Sequence, residues 1–356
     1  MELDITAHLE NCLQWKAENE SLFFSRFLDE QEPAYLLNGM YRNGYHASTG
    51  IRLRFVTNGD FVRIKGNVSA EKFGPIGFFT QKVTHYQLRG KAKTRIPPKS
   101  MKRRAADIYS EEAFELLVNG ISQEQKLLTD GTLEFRFGNS RHEKKELTIY
   151  FPQHARAELK AVEVNGDIWP AEKKNGIMIA FGDSITSGSL GQKASNSYVM
   201  TLAENLGMNV INQGVPGYTF QSDSLCGLER CPIKPDLITV AYGTNDWGFC
   251  STKKEVDSNI KAYFQRLNEI FSTVRKVVIT PIWRVDEAHE SHYGSLQSIR
   301  ETIRREAETM DHVSVIPGED LLPKELRYLR DGYVHPGDEG QKLYGKKLSA
   351  ILLSQL

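Results

Sequence analysis

The sequence has no net charge, few cysteines and no long apolar run. Its 45 Lys and Arg residues balance 45 Asp and Glu residues, which argues against a dedicated nucleic-acid or membrane-surface binder. Four cysteines in 356 residues are too few for a disulfide framework. No segment approaches the roughly 18 consecutive apolar residues of a transmembrane helix. The first residues lack the basic start and apolar core of a secretory signal, so we expect a cytoplasmic protein.

Composition and length predict an ordinary globular protein of two domains. Hydrophobic residues make up 40% and charged residues 25% of the chain, which excludes wholesale disorder. At about 100–200 residues per domain, the length predicts about two domains. Nothing in the composition indicates a chemistry.

The first half of the chain has the period of β-strands. Ile51–Val56 and Phe61–Lys65 alternate apolar and polar residues, as half-buried antiparallel strands do. Asn58-Gly59 between them predicts a hairpin turn. The same pattern recurs at Phe114–Val118 (followed by Asn119-Gly120), Thr132–Phe137, Glu146–Phe151 and Ala161–Val164 (followed by Asn165-Gly166). Many short strands separated by turns predict a β-sandwich domain over residues 1–170.

From about residue 175 to residue 356, short apolar runs alternate with amphipathic segments. We predict buried parallel strands at Ile177–Phe181, Asn209–Asn212, Leu237–Tyr242, Lys276–Thr280 and Val313–Ile316. We predict helices at Tyr198–Leu206, Lys253–Phe271, Gly294–Met310 and Glu339–Leu356. This order predicts an α/β domain with a doubly wound parallel sheet of about five strands. Ligands of such sheets bind at the carboxyl ends of the strands.

Polar and glycine-rich blocks follow these strands. Ser184 lies in Gly-Asp-Ser after the first strand, and Gly217 lies in a glycine-rich stretch after the second. Asn245 follows the third strand, and Asp331 and His335 come together after the fifth. A serine nucleophile, an imidazole base, a carboxylate and neutral N–H donors are the components of acyl transfer. Taken alone, the blocks around Ser184, Gly217 and Asn245 are also compatible with turns or helix caps, and His335 with an exposed histidine that has no catalytic role.

The four ordered blocks resemble those of the SGNH (GDSL) hydrolase superfamily, over roughly residues 175–356. This resemblance implies a flavodoxin-like catalytic domain. The strand-rich first half resembles the jelly-roll-like β-sandwich that precedes the catalytic domain in some members, including the second family of carbohydrate esterases. That second likeness depends on strand pattern and position alone.

The resemblance implies Ser184 as nucleophile and His335 as general base, without a metal or organic cofactor. It implies an oxyanion hole formed by the backbone N–H groups of Ser184 and Gly217 and the side-chain amide of Asn245. One feature departs from the family pattern, which places the acid three residues before the histidine. Here Gly332 holds that position, and Asp331 lies four residues before His335. We expect a bulged loop that lets Asp331 complete a triad; a Ser–His dyad is the alternative.

These residues predict an ester hydrolase that acts through an acyl-enzyme on a small substrate. No long apolar lid surrounds the blocks, so we expect short acyl groups, acetyl first, on a carbohydrate or another small hydroxylated compound. An acyltransferase using the same acyl-enzyme is the alternative, and a non-catalytic carbohydrate-binding protein is a weaker one. Trp283 and Arg284 follow the fourth strand and are candidates for the substrate pocket; a packed loop beneath the site is the alternative for both.

Two other groups of residues invite a functional interpretation. The basic stretch Arg89–Arg104 contains no acid, and we expect a solvated loop or a contact between identical subunits rather than a site for an anionic polymer. Because total charge is balanced, we expect neither nucleic acid nor a membrane as partner. Several cysteines and histidines could be imagined as a zinc site, but their spacing matches no known zinc-binding pattern. We interpret them as free thiols and loop histidines: Cys226, Cys231, Cys250, His289 and His292.

Overall fold

The computed structural model describes residues 1–70, 112–138, 143–249 and 252–355. The basic stretch at residues 89–104 and Cys250 lie outside these residues. None of the described helices combines the length and the apolar character that crossing a bilayer demands.

The N-terminal half is built from two antiparallel sheets that share one core. One sheet has the strand order β1-β4-β9-β6-β7, with β11 also paired to β4, and the other has the order β2-β3-β10-β5-β8. In chain order the strands are β1 (Leu9–Glu10), β2 (Gln14–Glu18), β3 (Ser21–Ser25), β4 (Arg52–Thr57), β5 (Phe61–Ser69), β6 (Phe114–Val118), β7 (Ile121–Lys126), β8 (Thr132–Arg136), β9 (Lys145–Tyr150), β10 (Arg156–Val164) and β11 (Ile168–Pro170). Apolar residues of both sheets form one buried cluster, which includes Phe55, Ile64, Leu147 and Val162. The β-rich fold of this half is therefore confirmed.

The three Asn-Gly pairs that follow predicted strands do not all make hairpins. Asn119-Gly120 joins β6 to β7 in antiparallel register, and both residues have positive φ, at 50° and 75°, as a type I′ turn requires. The hairpin predicted at Asn58-Gly59 is wrong, because β4 and β5 belong to different sheets. There the Asn58 side chain accepts a hydrogen bond from the backbone N–H of Asp167, at 2.7 Å. This turn is stabilised by the neighbouring Asn165-Gly166 turn rather than by a strand partner.

Two short helices, α1 (Glu32–Tyr35) and α2 (Gly39–His46), interrupt the strands of the N-terminal half. Neither was predicted, because their segment is too short for a helical period to stand out. Phe27, Tyr35 and Tyr45 of this region pack into the same buried cluster as Val215 and Tyr218 of the second half. The core of the α/β unit thus includes N-terminal side chains, and the proposed domain boundary near residue 170 stays a prediction.

The second half is an α/β fold with a five-stranded parallel sheet. Its strands are β12 (Gly176–Gly182), β13 (Met208–Gly214), β14 (Leu237–Ala241), β15 (Arg275–Ile279) and β16 (Val313–Ile316), in the order β13-β12-β14-β15-β16. This is the 2-1-3-4-5 order of flavodoxin-like sheets, so the predicted fold class is confirmed.

Helices cover this sheet, and polar residues fix where several of them begin. They are α3 (Tyr198–Leu206), α4 (Thr244–Phe249), α5 (Lys253–Ile270), α6 (Leu296–Ala307) and α7 (Asp338–Leu353). Ser197, Thr252 and Ser295 cap α3, α5 and α6 with side-chain oxygens. Helix α4 was not predicted, because Gly-Thr-Asn-Asp resembles a turn. Its first turn places Asn245 at the carboxyl edge of β14.

Candidate active site

Ser184 lies at the carboxyl edge of β12, which pairs with β13 on one side and β14 on the other. Gly182 ends that strand, and a Cβ at this position would lie 2.0 Å from Thr186 Oγ1, so only glycine fits. The backbone N–H groups of Ser187 and Ser189 donate to the carbonyls of Asp183 and Ser184, each at 2.9 Å. A close strand ending and a hydrogen-bonded turn therefore fix the position of the Ser184 hydroxyl.

The Ser184 hydroxyl, the His335 imidazole and the Asp331 carboxylate form one hydrogen-bonded chain. Ser184 Oγ lies 2.9 Å from His335 Nε2, and His335 Nδ1 lies 2.6 Å from Asp331 Oδ2. His335 is 2% exposed and Ser184 is 1% exposed. The structure therefore brings together three residues that are up to 151 positions apart in the sequence.

A tight loop accommodates the four-residue spacing between Asp331 and His335. Asp331 Oδ1 accepts hydrogen bonds from the backbone N–H groups of Tyr333, Val334 and His335, at 2.8, 3.0 and 3.1 Å. Gly332 has a φ of 64°, in the left-handed region that glycine adopts without strain. Burial opposes ionisation of Asp331, but the imidazole of His335 and these N–H donors hold the pKa of its carboxyl below the usual value. Asp331 is therefore an anion whose free oxygen faces the imidazole.

Three N–H donors follow β12, β13 and β14, at the same edge of the sheet as this chain of residues. Val215–Tyr218 is a β-turn closed by a 3.1 Å hydrogen bond from Tyr218 N to Val215 O, with Gly217 at a φ of 78°, as the third position of a type II turn requires. The backbone N–H groups of Ser184 and Gly217 donate to no group of the described residues. Asn245 Nδ2 donates one hydrogen to Tyr218 O at 2.9 Å, which leaves its second hydrogen for a ligand.

The comparison with known families identifies this half of the chain. Residues 180–343 match the model of the GDSL-like Lipase/Acylhydrolase family. The chain carries a GDSL-like acylhydrolase domain. The matched range contains all the predicted site residues, and it places the domain among carboxylic ester hydrolases. None of the curated proteins compared with the chain matches it significantly.

Solved structures share the fold of the acylhydrolase domain together with that of the N-terminal half. A salicylyl-acyltransferase, SsfX3, from a tetracycline biosynthetic pathway has a TM-score of 0.72 at 13% identity, covering 98% of this chain and 94% of its own. A GDSL-like lipase from Bacteroides ovatus has a TM-score of 0.72 at 17% identity, covering 99% and 96%. The acetyl xylan esterase Est2A from the rumen bacterium Butyrivibrio proteoclasticus has a TM-score of 0.60 at 14% identity, covering 100% and 97%. At these identities the similarity establishes the fold.

The N-terminal half reaches the acylhydrolase site through helix α2, a contact that sequence reasoning missed. Tyr41 Oη donates to the carbonyl of Gly217 at 3.1 Å. A Cβ at Gly217 would lie 2.2 Å from the methyl carbon of Met40. No sequence signal connects Met40 and Tyr41 to Gly217, because more than 170 residues separate them.

Trp283 and Arg284, the predicted pocket residues, are both buried in the loop after β15, at 5% and 6% exposure. Trp283 belongs to an apolar cluster of the acylhydrolase domain, and no described group accepts a hydrogen bond from its indole N–H. All five N–H hydrogens of Arg284 have acceptors within the protein. Because no donor of Arg284 remains for a substrate, the structure favours the packed-loop interpretation of this residue.

The described residues contain no cluster of three or more His, Cys, Asp and Glu side chains that could hold a metal ion. Among the described cysteines, Cys226 is exposed and Cys231 is half-buried, and both are free thiols.

Proposed function

We propose that the protein is a serine-dependent esterase that removes short acyl groups, acetyl first, from a carbohydrate or another small hydroxylated compound. The observation that carries this proposal is the chain from Ser184 Oγ through the His335 imidazole to Asp331, at 2.9 and 2.6 Å. Together with the Gly217 turn and Asn245, it has the parts that acyl transfer needs.

In the acylation step, His335 Nε2 takes the proton of Ser184 Oγ as the oxygen bonds to the ester carbonyl carbon. The carbonyl oxygen becomes an oxyanion that accepts from Ser184 N, Gly217 N and Asn245 Nδ2. The imidazolium is stabilised by Asp331, and it gives its proton to the leaving alcohol oxygen as the carbon–oxygen bond breaks. Water, activated by the same imidazole, then releases the acid and restores Ser184.

The reach of the site favours a small acyl group. Ser184 is only 1% exposed, so little open surface surrounds the nucleophile for a long chain. The fold similarity to an acetyl xylan esterase over the whole chain is consistent with a carbohydrate ester. We expect p-nitrophenyl acetate to be cleaved much faster than p-nitrophenyl octanoate, and the reverse order in steady-state assays would refute the short-acyl assignment.

An acyltransferase is the second candidate, because the chain shares its fold over nearly its full length with a salicylyl-acyltransferase. An alcohol would then take the place of water and attack the same acyl-enzyme. Product analysis with a sugar alcohol present separates the two, since transfer yields a new ester where hydrolysis yields only the free acid.

A fluorophosphonate probe tests the serine mechanism directly. We expect the wild-type protein to be labelled and Ser184→Ala to remain unlabelled, with ester hydrolysis lowered by roughly 10⁴-fold or more. Ser189→Ala is a matched control, since its buried hydroxyl contacts Ser187 and not His335. A folded wild-type protein that resists labelling and hydrolyses none of the esters would instead support a carbohydrate-binding protein.

The Asp331→Asn variant distinguishes a triad from a dyad. The amide keeps the shape of the side chain but removes the charge that stabilises the imidazolium, so we expect kcat to fall by roughly 10³–10⁴-fold. Asp338→Asn is the control, because its carboxylate accepts from Gln192 N at 2.6 Å and not from the imidazole. A loss for Asp331→Asn far smaller than that for His335→Ala would favour the dyad.

A further inference from the structure

Arg284 lies at the centre of a buried cluster that joins three loops of the acylhydrolase domain. Its Nε and Nη2 donate to the carboxylate of Asp286 at 2.6 and 3.2 Å. Its Nη1 donates to the carbonyl and the hydroxyl of Thr244, both at 3.0 Å. Its Nη2 also donates to Tyr333 Oη at 2.7 Å, and that hydroxyl in turn donates to Asp286. The Tyr333 hydroxyl and all five N–H hydrogens of Arg284 are therefore hydrogen-bonded within the cluster.

The guanidinium also lies close to two aromatic rings. Its central carbon lies 4.7 Å from the ring centre of Trp247 in α4 and 5.0 Å from that of Tyr333. Asp286 is 4% exposed and balances the charge of Arg284. Because the cation is planar, paired and close to two aromatic rings, its position is fixed more firmly than that of a surface arginine.

Two residues that Arg284 contacts, Thr244 and Tyr333, are sequence neighbours of the proposed catalytic groups. Thr244 immediately precedes Asn245, and Tyr333 lies between Asp331 and His335. The backbone joins the same loops, since Val285 N donates to Tyr333 O at 3.0 Å. A shift of Arg284 would therefore move the Asn245 amide and the His335 imidazole together.

Tyr333 occupies the stretch in which this sequence has one residue more than the family pattern. The Tyr333 hydroxyl links this loop to both Arg284 and Asp286. A residue of the longer stretch, Tyr333, thus links the Asp331–His335 loop to the loop that carries Arg284 and Asp286.

We propose that Arg284, Asp286 and Tyr333, here the Arg284 cluster, are positioning residues that hold His335 and Asn245 in register with Ser184. This inference deepens the proposed function and rests on it. The cluster does not touch substrate. It acts by fixing the distance between the imidazole and the serine hydroxyl and the direction of the amide, to which acyl transfer is sensitive.

Tyr333→Phe is the sharpest test, because it keeps the ring over Arg284 and the loop backbone and removes only the hydroxyl. For a short-chain ester we expect kcat to fall by roughly 10-fold or more with little change in KM, since ground-state binding does not use the cluster. The rate of fluorophosphonate labelling of Ser184 should fall in parallel. Arg284→Lys, which keeps the charge but loses the planar fork, should lower kcat further.

Tyr293→Phe is the matched control. The Tyr293 hydroxyl donates to Asp257 at 2.6 Å and accepts from Lys253 at 3.1 Å, so the variant breaks the same kind of tyrosine network elsewhere in the domain. We expect it to lower thermal stability without changing kcat. Equal kcat values for Tyr333→Phe, Tyr293→Phe and wild type would overturn the positioning role, as would a loss confined to thermal stability.

A second readout keeps this test separate from that of the proposed function. In proton NMR, the hydrogen shared by His335 Nδ1 and Asp331 should give a far-downfield signal that needs no substrate. We expect Tyr333→Phe to shift or broaden this signal through faster exchange, and Tyr293→Phe to leave it unchanged. A wild type without esterase activity would refute the function alone, whereas an unaltered signal in Tyr333→Phe would refute the positioning role.

Discussion

Asp246, the residue after Asn245, has a carboxyl group that lies entirely inside the protein. Its Oδ1 accepts from Phe220 N at 3.0 Å, and its Oδ2 has no hydrogen-bond partner among the described residues. Burial raises the pKa of Asp246 to about 7, and the neighbouring carboxyl of Asp183 adds to the effect. Burial likewise raises the pKa of Asp183 to about 6. Both groups are therefore protonated in the folded state at pH values where the unfolded chain has lost these protons.

The sign of the resulting pH dependence follows from proton binding. Between pH 4 and pH 7 the folded state holds more protons than the unfolded chain, so this contribution to stability is full below about pH 4 and is lost as the pH rises through about 7. We expect Asp246→Asn, which is neutral at every pH, to lose less unfolding free energy between pH 5 and pH 8 than wild type does. Urea unfolding at four pH values measures this.

Asp130→Asn serves as the control for the Asp246 prediction, because Asp130 is an exposed turn residue. It should reproduce the wild-type pH dependence of unfolding. If Asp246→Asn does so as well, then the carboxyl of Asp246 is not a protonated group in the folded protein.

At the level of single residues, the sequence pattern predicted the site residues that follow strands. It missed the residues that contact them only in the folded chain. Ser184, Asp331 and His335 were predicted as site residues because each lies beside a strand end or in a short loop, where order along the chain is informative. The role of Tyr333 could not be found that way. Its partners Arg284 and Asp286 lie 49 and 47 positions away, and only the folded loops bring the three together.

At the level of elements, helix α2 is the part of the N-terminal half that supports the Gly217 turn. Tyr41 donates to the Gly217 carbonyl at 3.1 Å, and the N–H of the same residue would face an oxyanion in the proposed mechanism. Removing this hydrogen bond in Tyr41→Phe should let the turn move and weaken that N–H donor. We expect kcat to fall by about 3- to 10-fold, equivalent to about 0.7–1.4 kcal/mol.

Tyr45→Phe is the control for this element, since the Tyr45 hydroxyl donates to Leu28 O at 3.3 Å and not to the carbonyl of Gly217. Steady-state kinetics of both variants on a short-chain ester, with circular dichroism to verify folding, provide the measurement. A Tyr41→Phe variant as active as Tyr45→Phe would show that the turn holds its shape without helix α2.

The elements themselves were predicted well where one period extends over many residues. All five parallel strands and the long helices of the second half were found within a few residues, because buried strands and amphipathic helices have clear patterns. The wrong predictions concern short segments whose sequence is compatible with two local structures. Asn58-Gly59 has the residues of a hairpin turn. The strands on either side of it nevertheless pair with β9 and β10, which belong to different sheets and are distant in sequence.

At the level of the whole molecule, the two halves share buried polar contacts as well as apolar ones. Arg26 is 0% exposed and donates to the carbonyls of Ala47 and Asn212, at 2.9 Å for Ala47. Asn212 belongs to β13, which leads into the Gly217 turn. Gln31 and Gln213 also exchange a hydrogen bond at 3.0 Å. These contacts place N-terminal side chains inside the structure that carries the site.

Replacing Arg26 with methionine tests whether the halves form one cooperative unit. The apolar side chain fills similar space but leaves buried carbonyls on both halves without a donor, so we expect the unfolding free energy to fall by about 2–4 kcal/mol. Because these carbonyls come from both halves, the change in tryptophan fluorescence on unfolding and the loss of ester hydrolysis should occur at the same urea concentration. That concentration should be lower than for wild type.

Arg63→Met is the control: this arginine pairs with Glu134 and Glu163 on the sandwich surface, where ion pairs contribute little to stability. Equal midpoints for the two variants, or activity that persists after the N-terminal half unfolds, would show that the acylhydrolase domain stands without Arg26.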